Sequence, residues 1–175
     1  EKSELEKWAC LHCKGQNATT SKVMKPLLGD QQAYVATVGS KVVVAFRGSS
    51  NIRNWIKDVE FRYTPLNWTG LPGNLKVHNG FLAASDQLEQ KTALLSEVDK
   101  QLASCPTCKL LVTGHSLGAA VALLFTAKMG LIKGRSFRPE IVTFGSPRVG
   151  NKAFAKYWSG LYGASHTRHV HNRDP

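Results

Sequence analysis

An α/β fold built on a central, mostly parallel sheet with helices on both faces is the class this sequence predicts, and three observations predict it. The runs Lys109–Thr113 (KLLVT) and Glu140–Phe144 (EIVTF) are continuously apolar in character, which marks strands covered on both faces. Helical patterns alternate with strands throughout the second half, and that alternation implies right-handed crossovers and parallel pairing. The 175 residues, 42% of them hydrophobic, suffice for one good core and leave little room for a second, so residues 1–175 are expected to form a single domain.

The elements follow in order. Tyr34–Val38 and Lys41–Phe46 are β-branched-rich runs separated by Gly39-Ser40, the pattern of an antiparallel hairpin with a two-residue turn. Asn51–Asp58 reads as a short helix, and Leu66–Asn74, with Gly70, Pro72 and Gly73 inside it and Pro65 before it, as loop. Lys76-Val77-His78 reads as an edge strand. Gly80–Leu102 is predicted as one long helix, because Phe81, Leu88, Leu95 and Leu102 recur every seven residues with Ala84 and Val98 between them. After the strand at 109–113, Leu117–Met129 is predicted helical and to end at Gly130. Asn151–Leu161 is a further helix and Thr167–His171 a last strand.

The formal net charge is +11, and between Ser104 and Arg173 the sole acidic residue is Glu140. Such a balance favours anionic partners, including phospholipid or fatty-acid-coated interfaces. The basic residues form no run of five or more and no aromatic-interleaved stripe, so no nucleic-acid partner is expected. The longest apolar run, Ala119–Phe125, falls far short of the roughly 18 residues of a membrane span. The opening EKSELEKWAC lacks the apolar stretch of a signal peptide, so any export signal is expected to have been removed or not included.

Four cysteines form two C-x-x-C pairs. They lie much further apart than the roughly 15 to 20 residues usual between zinc-binding pairs, and no thioredoxin pattern accompanies them. Short local disulfides, Cys10–Cys13 and Cys105–Cys108, are expected, together with a secreted, extracellular location. Sequons at Asn17 and Asn67 agree with an exported glycoprotein. No cofactor is implied, and the sequence carries no sign of oligomeric state.

Gly114-His115-Ser116-Leu117-Gly118 is a G-x-S-x-G pentapeptide. Its setting matters more than its presence: the best buried strand precedes it directly, and a helix rich in small residues (Ala119, Ala120, Ala122) follows it directly, which is the context of a nucleophile elbow. A turn that tight forces Ser116 into an unfavourable backbone conformation. Side chains two positions to either side would then collide unless they were glycine. The hydroxyl is thereby projected over a helix N-terminus, whose N–H groups stabilise developing negative charge. Leu117 matters for its backbone N–H. The competing reading is a helix-capping serine in a glycine-flanked loop.

These residues resemble the fungal class 3 lipases, secreted triacylglycerol lipases of the α/β-hydrolase fold. The resemblance runs in order from Tyr34 to Pro175 through FRGSSNIRNW (46–55), VHNGF (77–81), VTGHSLG (112–118), TFGSPRVGN (143–151) and HNRDP (171–175). It implies hydrolysis of lipid esters through an acyl-enzyme on Ser116. Ser49, after F-R-G, and the Leu117 N–H would be the oxyanion-hole donors, and Asp174 the triad acid. The segment Ile52, Arg53, Asn54, Trp55, Ile56, Lys57, Asp58 resembles the family's lid helix. Its apolar stripe, Ile52, Trp55, Ile56 and Val59 at spacings of three and four, suits a cover for an acyl groove that opens at a lipid–water interface.

The triad order in this fold is Ser, acid, His. Only Pro175 follows Asp174 here, whereas family members continue for several tens of residues and carry the His there. The 175 residues are therefore expected to be incomplete at the C-terminus, and at the N-terminus too, and to be nearly inactive as they stand. His115 reads as a buried packing residue, and His78 as packing near the site. His166, His169 and His171 lie on the strand leading to Asp174. Their H-x-x-H-x-H spacing admits a metal reading with Asp174, but surface histidines on a basic strand are the commoner case, and no metal is expected. Two other functions stay open: an esterase for soluble substrates such as feruloyl esters, and a non-catalytic lipid-binding relative that lacks the base.

Overall fold

Side chains alternate between the two faces of a strand, and in this chain the alternation sorts apolar bulk onto one side. Val42, Val44 and Phe46 of one strand, Leu110 and Val112 of the next and Ile141 of the third are buried. Their neighbours Val43, Ala45, Leu111, Thr113 and Val142 are only half-buried. The computed structural model describes all residues except 1, 14, 16–17, 28–30, 50–61, 135 and 172–175.

Eight strands occur among the described residues: β1 Ala18–Met24, β2 Ala33–Val38, β3 Lys41–Phe46, β4 Tyr63–Pro65, β5 Lys76–His78, β6 Lys109–His115, β7 Glu140–Phe144 and β8 His166–His169. Six form the main sheet in the order β1-β2-β3-β6-β7-β8. β1–β2 and β2–β3 pair antiparallel, while β3–β6, β6–β7 and β7–β8 pair parallel. The hairpin expected at 34–46 forms, and Gly39 supplies the positive φ of 56° that its two-residue turn needs. β6 is interior, flanked by β3 and β7 as its apolar run demands.

The helices are α1 Lys2–Glu6, α2 Asn79–Lys91, α3 Leu94–Ser104, α4 Leu117–Lys133 and α5 Lys152–Tyr162. α3 and α4 cover the face of Val42, Val44, Leu110 and Val112: Val98, Val121, Ala122, Phe125 and Met129 join those valines in one core. Phe154, Trp158 and Tyr162 of α5 pack with Ile141 and Leu124 in a second. α1 lies by the opposite face, where Trp8 meets the Tyr34 ring edge-on at 6.2 Å. α4 is buried nearly all round from Gly118 to Ala127, as a central helix must be. No helix among the described residues is long and apolar enough to cross a membrane. Both local disulfides form, Cys10–Cys13 and Cys105–Cys108, with Cα atoms 5.0 and 5.3 Å apart.

Three expectations are corrected. The helix predicted over 80–102 is two helices, broken at Thr92-Ala93, where Thr92 adopts extended angles (φ −136°, ψ 165°). The break resets the register. Phe81, Ala84 and Leu88 face the core before it, and Leu94, Val98 and Gln101 after it, leaving the heptad residues Leu95 and Leu102 half-buried. The predicted stop at Gly130 is overrun, because α4 continues to Lys133 and is capped by Gly134 at φ 83°. Gly130 serves a crossing instead: a Cβ there would collide with the Tyr162 hydroxyl. Finally, Lys76–His78 does not edge the main sheet but pairs with β4 in a separate two-stranded sheet. The helix predicted at Asn51–Asp58 lies outside the described residues.

Candidate active site

The carboxyl ends of the parallel strands meet at the pentapeptide Gly114–Gly118. β6 ends at His115, α4 begins at Leu117, and Ser116 between them has φ 54° and ψ −121°. Apart from Trp8 it is the one non-glycine residue with positive φ among the described residues. Such a conformation costs on the order of 1–3 kcal/mol and persists only where the surroundings over-determine it. They do here: the Ser116 N–H donates to the Phe144 carbonyl at 3.0 Å, and the Ser116 carbonyl accepts from the Ala119 and Ala120 amides at 3.0 and 3.2 Å. Although Ser116 occupies the N-cap position, its hydroxyl makes no capping hydrogen bond. The capping role that competes with a chemical one at this position is therefore not taken up.

Each flanking glycine is explained by a close approach. A Cβ on Gly114 would overlap the Gly118 carbonyl and lie 2.7 Å from the Ala119 nitrogen. On Gly118 it would overlap the Phe46 carbonyl oxygen and lie 2.8 Å from the Arg47 carbonyl carbon. The second contact joins the elbow to the end of β3, which the sequence spacing alone does not reveal. Gly48 makes the same junction from the other side, since its Cβ would lie 2.7 Å from the His115 carbonyl oxygen. Segment 46–49 is thus clamped to the elbow, and half-buried Ser49 is carried to the same strand ends as Ser116. Leu117, also half-buried, opens α4 and aims its positive dipole end at the turn.

β8 brings the chain to the same edge. Phe144 pairs with His169, and the Gly145 N–H donates to the His169 carbonyl at 2.9 Å. Asp174 lies outside the described residues, as do the lid residues Ile52, Arg53, Trp55, Ile56 and Asp58 and the sequon Asn17. Asn67, of the other sequon, is exposed.

The histidines separate by environment. His115 is exposed, not buried as the sequence reading had it: being the last residue of β6, it points to the face opposite the Leu110–Val112 core, with its ring beside Gly48. His78 caps α2, its Nδ1 accepting from the Gly80 N–H at 3.1 Å, and its ring lies 4.4 Å from that of Phe81. His169 stacks on Phe144, with ring centroids 4.9 Å apart. His166 is half-buried. The Trp158 indole N–H can only donate, so Nδ1 of His166 accepts from it at 3.3 Å, and Nε2–H is left to donate to the Thr143 hydroxyl at 2.9 Å. Burial first, and the Arg168 charge second, hold its pKa below the ordinary 6.5. With both ring nitrogens of His166 engaged, the H-x-x-H-x-H spacing is not arranged as a ligand set. Among the described residues no cluster of three or more His, Cys, Asp or Glu is placed to hold a metal.

Two contributors escaped the sequence reading: Gly48, which permits the clamp, and Phe144, whose carbonyl receives the Ser116 N–H. A glycine immediately after a strand end was the available signal for the first; nothing in sequence pointed to the second.

Known proteins resemble this chain in sequence and fold. The profile of the family "Lipase (class 3)" matches residues 43–175. The lipase of Rhizomucor miehei is 37% identical over 175 residues, covering 95% of this chain and 46% of that protein. A secreted mono- and diacylglycerol lipase of Fusarium solani is 38% identical over 145 residues, covering 82% and 41%. Among solved structures, a triacylglycerol lipase whose catalytic centre is formed by a serine protease triad superposes with a TM-score of 0.79 at 34% identity, covering 95% of this chain and 62% of that one. The chain spans about half the length of the curated relatives it matches.

Proposed function

The chain belongs to the class 3 lipase family, with the α/β-hydrolase fold, and from that membership we propose that it hydrolyses carboxylic esters of lipids, with Ser116 as nucleophile. The observation that carries the proposal is the uncapped Ser116 hydroxyl on a strained turn at the head of α4, with segment 46–49 clamped against it. Ester carbonyl attack by Ser116 Oγ, its proton passing to a general base that then protonates the departing alcohol, forms a tetrahedral oxyanion, held by Ser49 and the Leu117 N–H. Expulsion of the alcohol leaves an acyl-serine, which water then hydrolyses. Asp174 is assigned the triad acid, and Ile52–Asp58 the lid that opens at a lipid–water interface. The similarity to secreted lipases supports export, and exposed Asn67, with Asn17, is assigned as a glycosylation site.

Among the histidines of these residues we assign none as the general base. His166 has both ring nitrogens engaged, His78 is spent on its cap, and His115 is directed away from its neighbour Ser116. A polypeptide of these 175 residues alone is expected to retain only the residual catalysis of oxyanion hole and binding, about 10³ to 10⁴ over water.

The test compares hydrolysis of an emulsified long-chain triglyceride with that of a soluble short-chain ester, in a polypeptide extended by a matching relative's C-terminal segment. A rate that climbs once substrate exceeds its solubility supports the lipase reading. Saturation without such a rise favours an esterase for soluble substrates, and no hydrolysis dependent on Ser116 favours a lipid-binding role.

A further inference from the structure

At the far end of α4 from Ser116, a cleft of about 760 Å³ opens between the last turn of that helix, α5 and the loop leading into β5. α4 rises along its axis by about 1.5 Å per residue, so Gly130 in the cleft wall lies roughly 20 Å from the elbow. The cleft is therefore separate from the proposed active site. Its size falls within the range of about 300–1,000 Å³ typical of small-molecule sites.

Its lining has two characters. Leu75, Leu131, Leu161 and Tyr157 supply apolar wall, and Arg138 and Lys156 supply positive charge. No acidic side chain lines it among the described residues. Glycine is over-supplied there. Gly134 and Gly160 both line the cleft, and a Cβ on either would meet nothing within 4 Å. Gly134 has its positive φ as a reason. Gly160 has none: it sits within α5, where glycine is disfavoured, and no neighbour requires its lack of a side chain. What it does is leave the cleft open.

We propose that this cleft is a second, non-catalytic site for a long-chain carboxylate, with the chain along Leu75, Leu131 and Leu161 and the carboxylate toward Arg138 and Lys156. Arg138 already donates through Nη1 to the Phe137 carbonyl at 3.0 Å, so the carboxylate is drawn chiefly by the combined positive charge of Arg138 and Lys156 rather than by a two-donor fork. The ligand would be the fatty acid that ester hydrolysis releases, and only for that source does the inference rest on the proposed function. Occupancy at roughly 20 Å from Ser116 would let the protein register product without blocking the elbow.

The experiment uses a stearic acid analogue carrying a diazirine on its chain, photolysed with the full chain and mapped by peptide mass spectrometry. Adducts are expected within residues 130–138 and 153–162. An excess of oleate should suppress them at least tenfold, and an equal excess of oleyl alcohol should not. Lys156→Glu should lower labelling about fivefold or more, and Gly160→Leu should do so by filling the cleft while leaving the charge in place. The proposal is overturned if adducts avoid these segments, if oleyl alcohol competes as well as oleate, or if both variants label like the parent. Labelling is read without turnover, so failure of the lipase reading leaves this measurement intact, and failure here leaves the lipase assay intact.

Discussion

Alanine at Gly118 isolates the clamp between the elbow and segment 46–49. In an ordinary helix first turn, Gly→Ala would stabilise by about 1 kcal/mol. Here the added methyl would overlap the Phe46 carbonyl oxygen and sit 2.8 Å from both the carbonyl carbon and oxygen of Arg47. These are backbone atoms at the end of β3, locked in register with β6 through the Phe46–Gly114 pairing, so no side chain can rotate away. Overpacking of this kind costs about 1–3 kcal/mol and outweighs the helix-propensity gain. Segment 46–49 must move, and Ser49 with it. Loss of an oxyanion donor, the role proposed for Ser49, lowers rate by about 10²–10³. Gly160→Ala provides the opposite sign on the same chemistry, since nothing lies within 4 Å of its Cβ. It should stabilise by about 0.5–1 kcal/mol. Urea denaturation midpoints of the two variants and the parent, supplemented by hydrolysis rates in a chain competent for turnover, decide the matter. A Gly118→Ala protein as stable as the parent would refute the argument, because it would mean the clamp is loose.

Other outcomes follow from the same geometry. Ser116→Gly should raise stability by about 1–3 kcal/mol, since glycine accepts φ 54° without strain, while abolishing covalent labelling by an alkyl phosphonate; thermal melts and intact mass measure the two. His166 is held below its usual pKa by burial and by Arg168. Its neutral form therefore contributes stability that is present above pH 6.5 and lost as pH falls through the folded pKa. His166→Gln should flatten the loss of stability as pH falls below 6.5 in equilibrium unfolding. Lys128 pairs with Glu89, whose side chain is 4% exposed and whose pKa burial raises. Lys128→Met should cost about 3 kcal/mol by leaving that carboxylate buried with no countercharge and the Ser85 hydroxyl, which donates to it at 3.2 Å, as its hydrogen-bond partner, and adding Glu89→Leu should recover most of it; a double variant no better than the single one would contradict this.

What the sequence determined by itself is local. The hairpin at 34–46, the interior strand at 109–113 and the sharp bend at 114–118 each depend on residues within a few positions of one another, where dihedral preference and steric contact are decided by near neighbours. The two C-x-x-C disulfides are legible for the same reason. What only the tertiary structure decided involves partners distant in the chain. Gly130 is a helix terminator by propensity, yet it became a crossing point because the Tyr162 hydroxyl rests on it. The heptad at 81–102 promised one helix, but packing on the sheet required the face that follows Ala93 to turn toward Leu94 and Val98. His115 looked like core and points outward, because pairing with Phe144 sets its side of the sheet. The approach of segment 46–49 to the elbow rests on Gly48 lying against the His115 carbonyl and Gly118 against the Phe46 and Arg47 carbonyls. Resemblance could suggest that approach, but only the register of β3 against β6 produces it, since periodicity reports which face of an element is apolar and not which backbone it will touch.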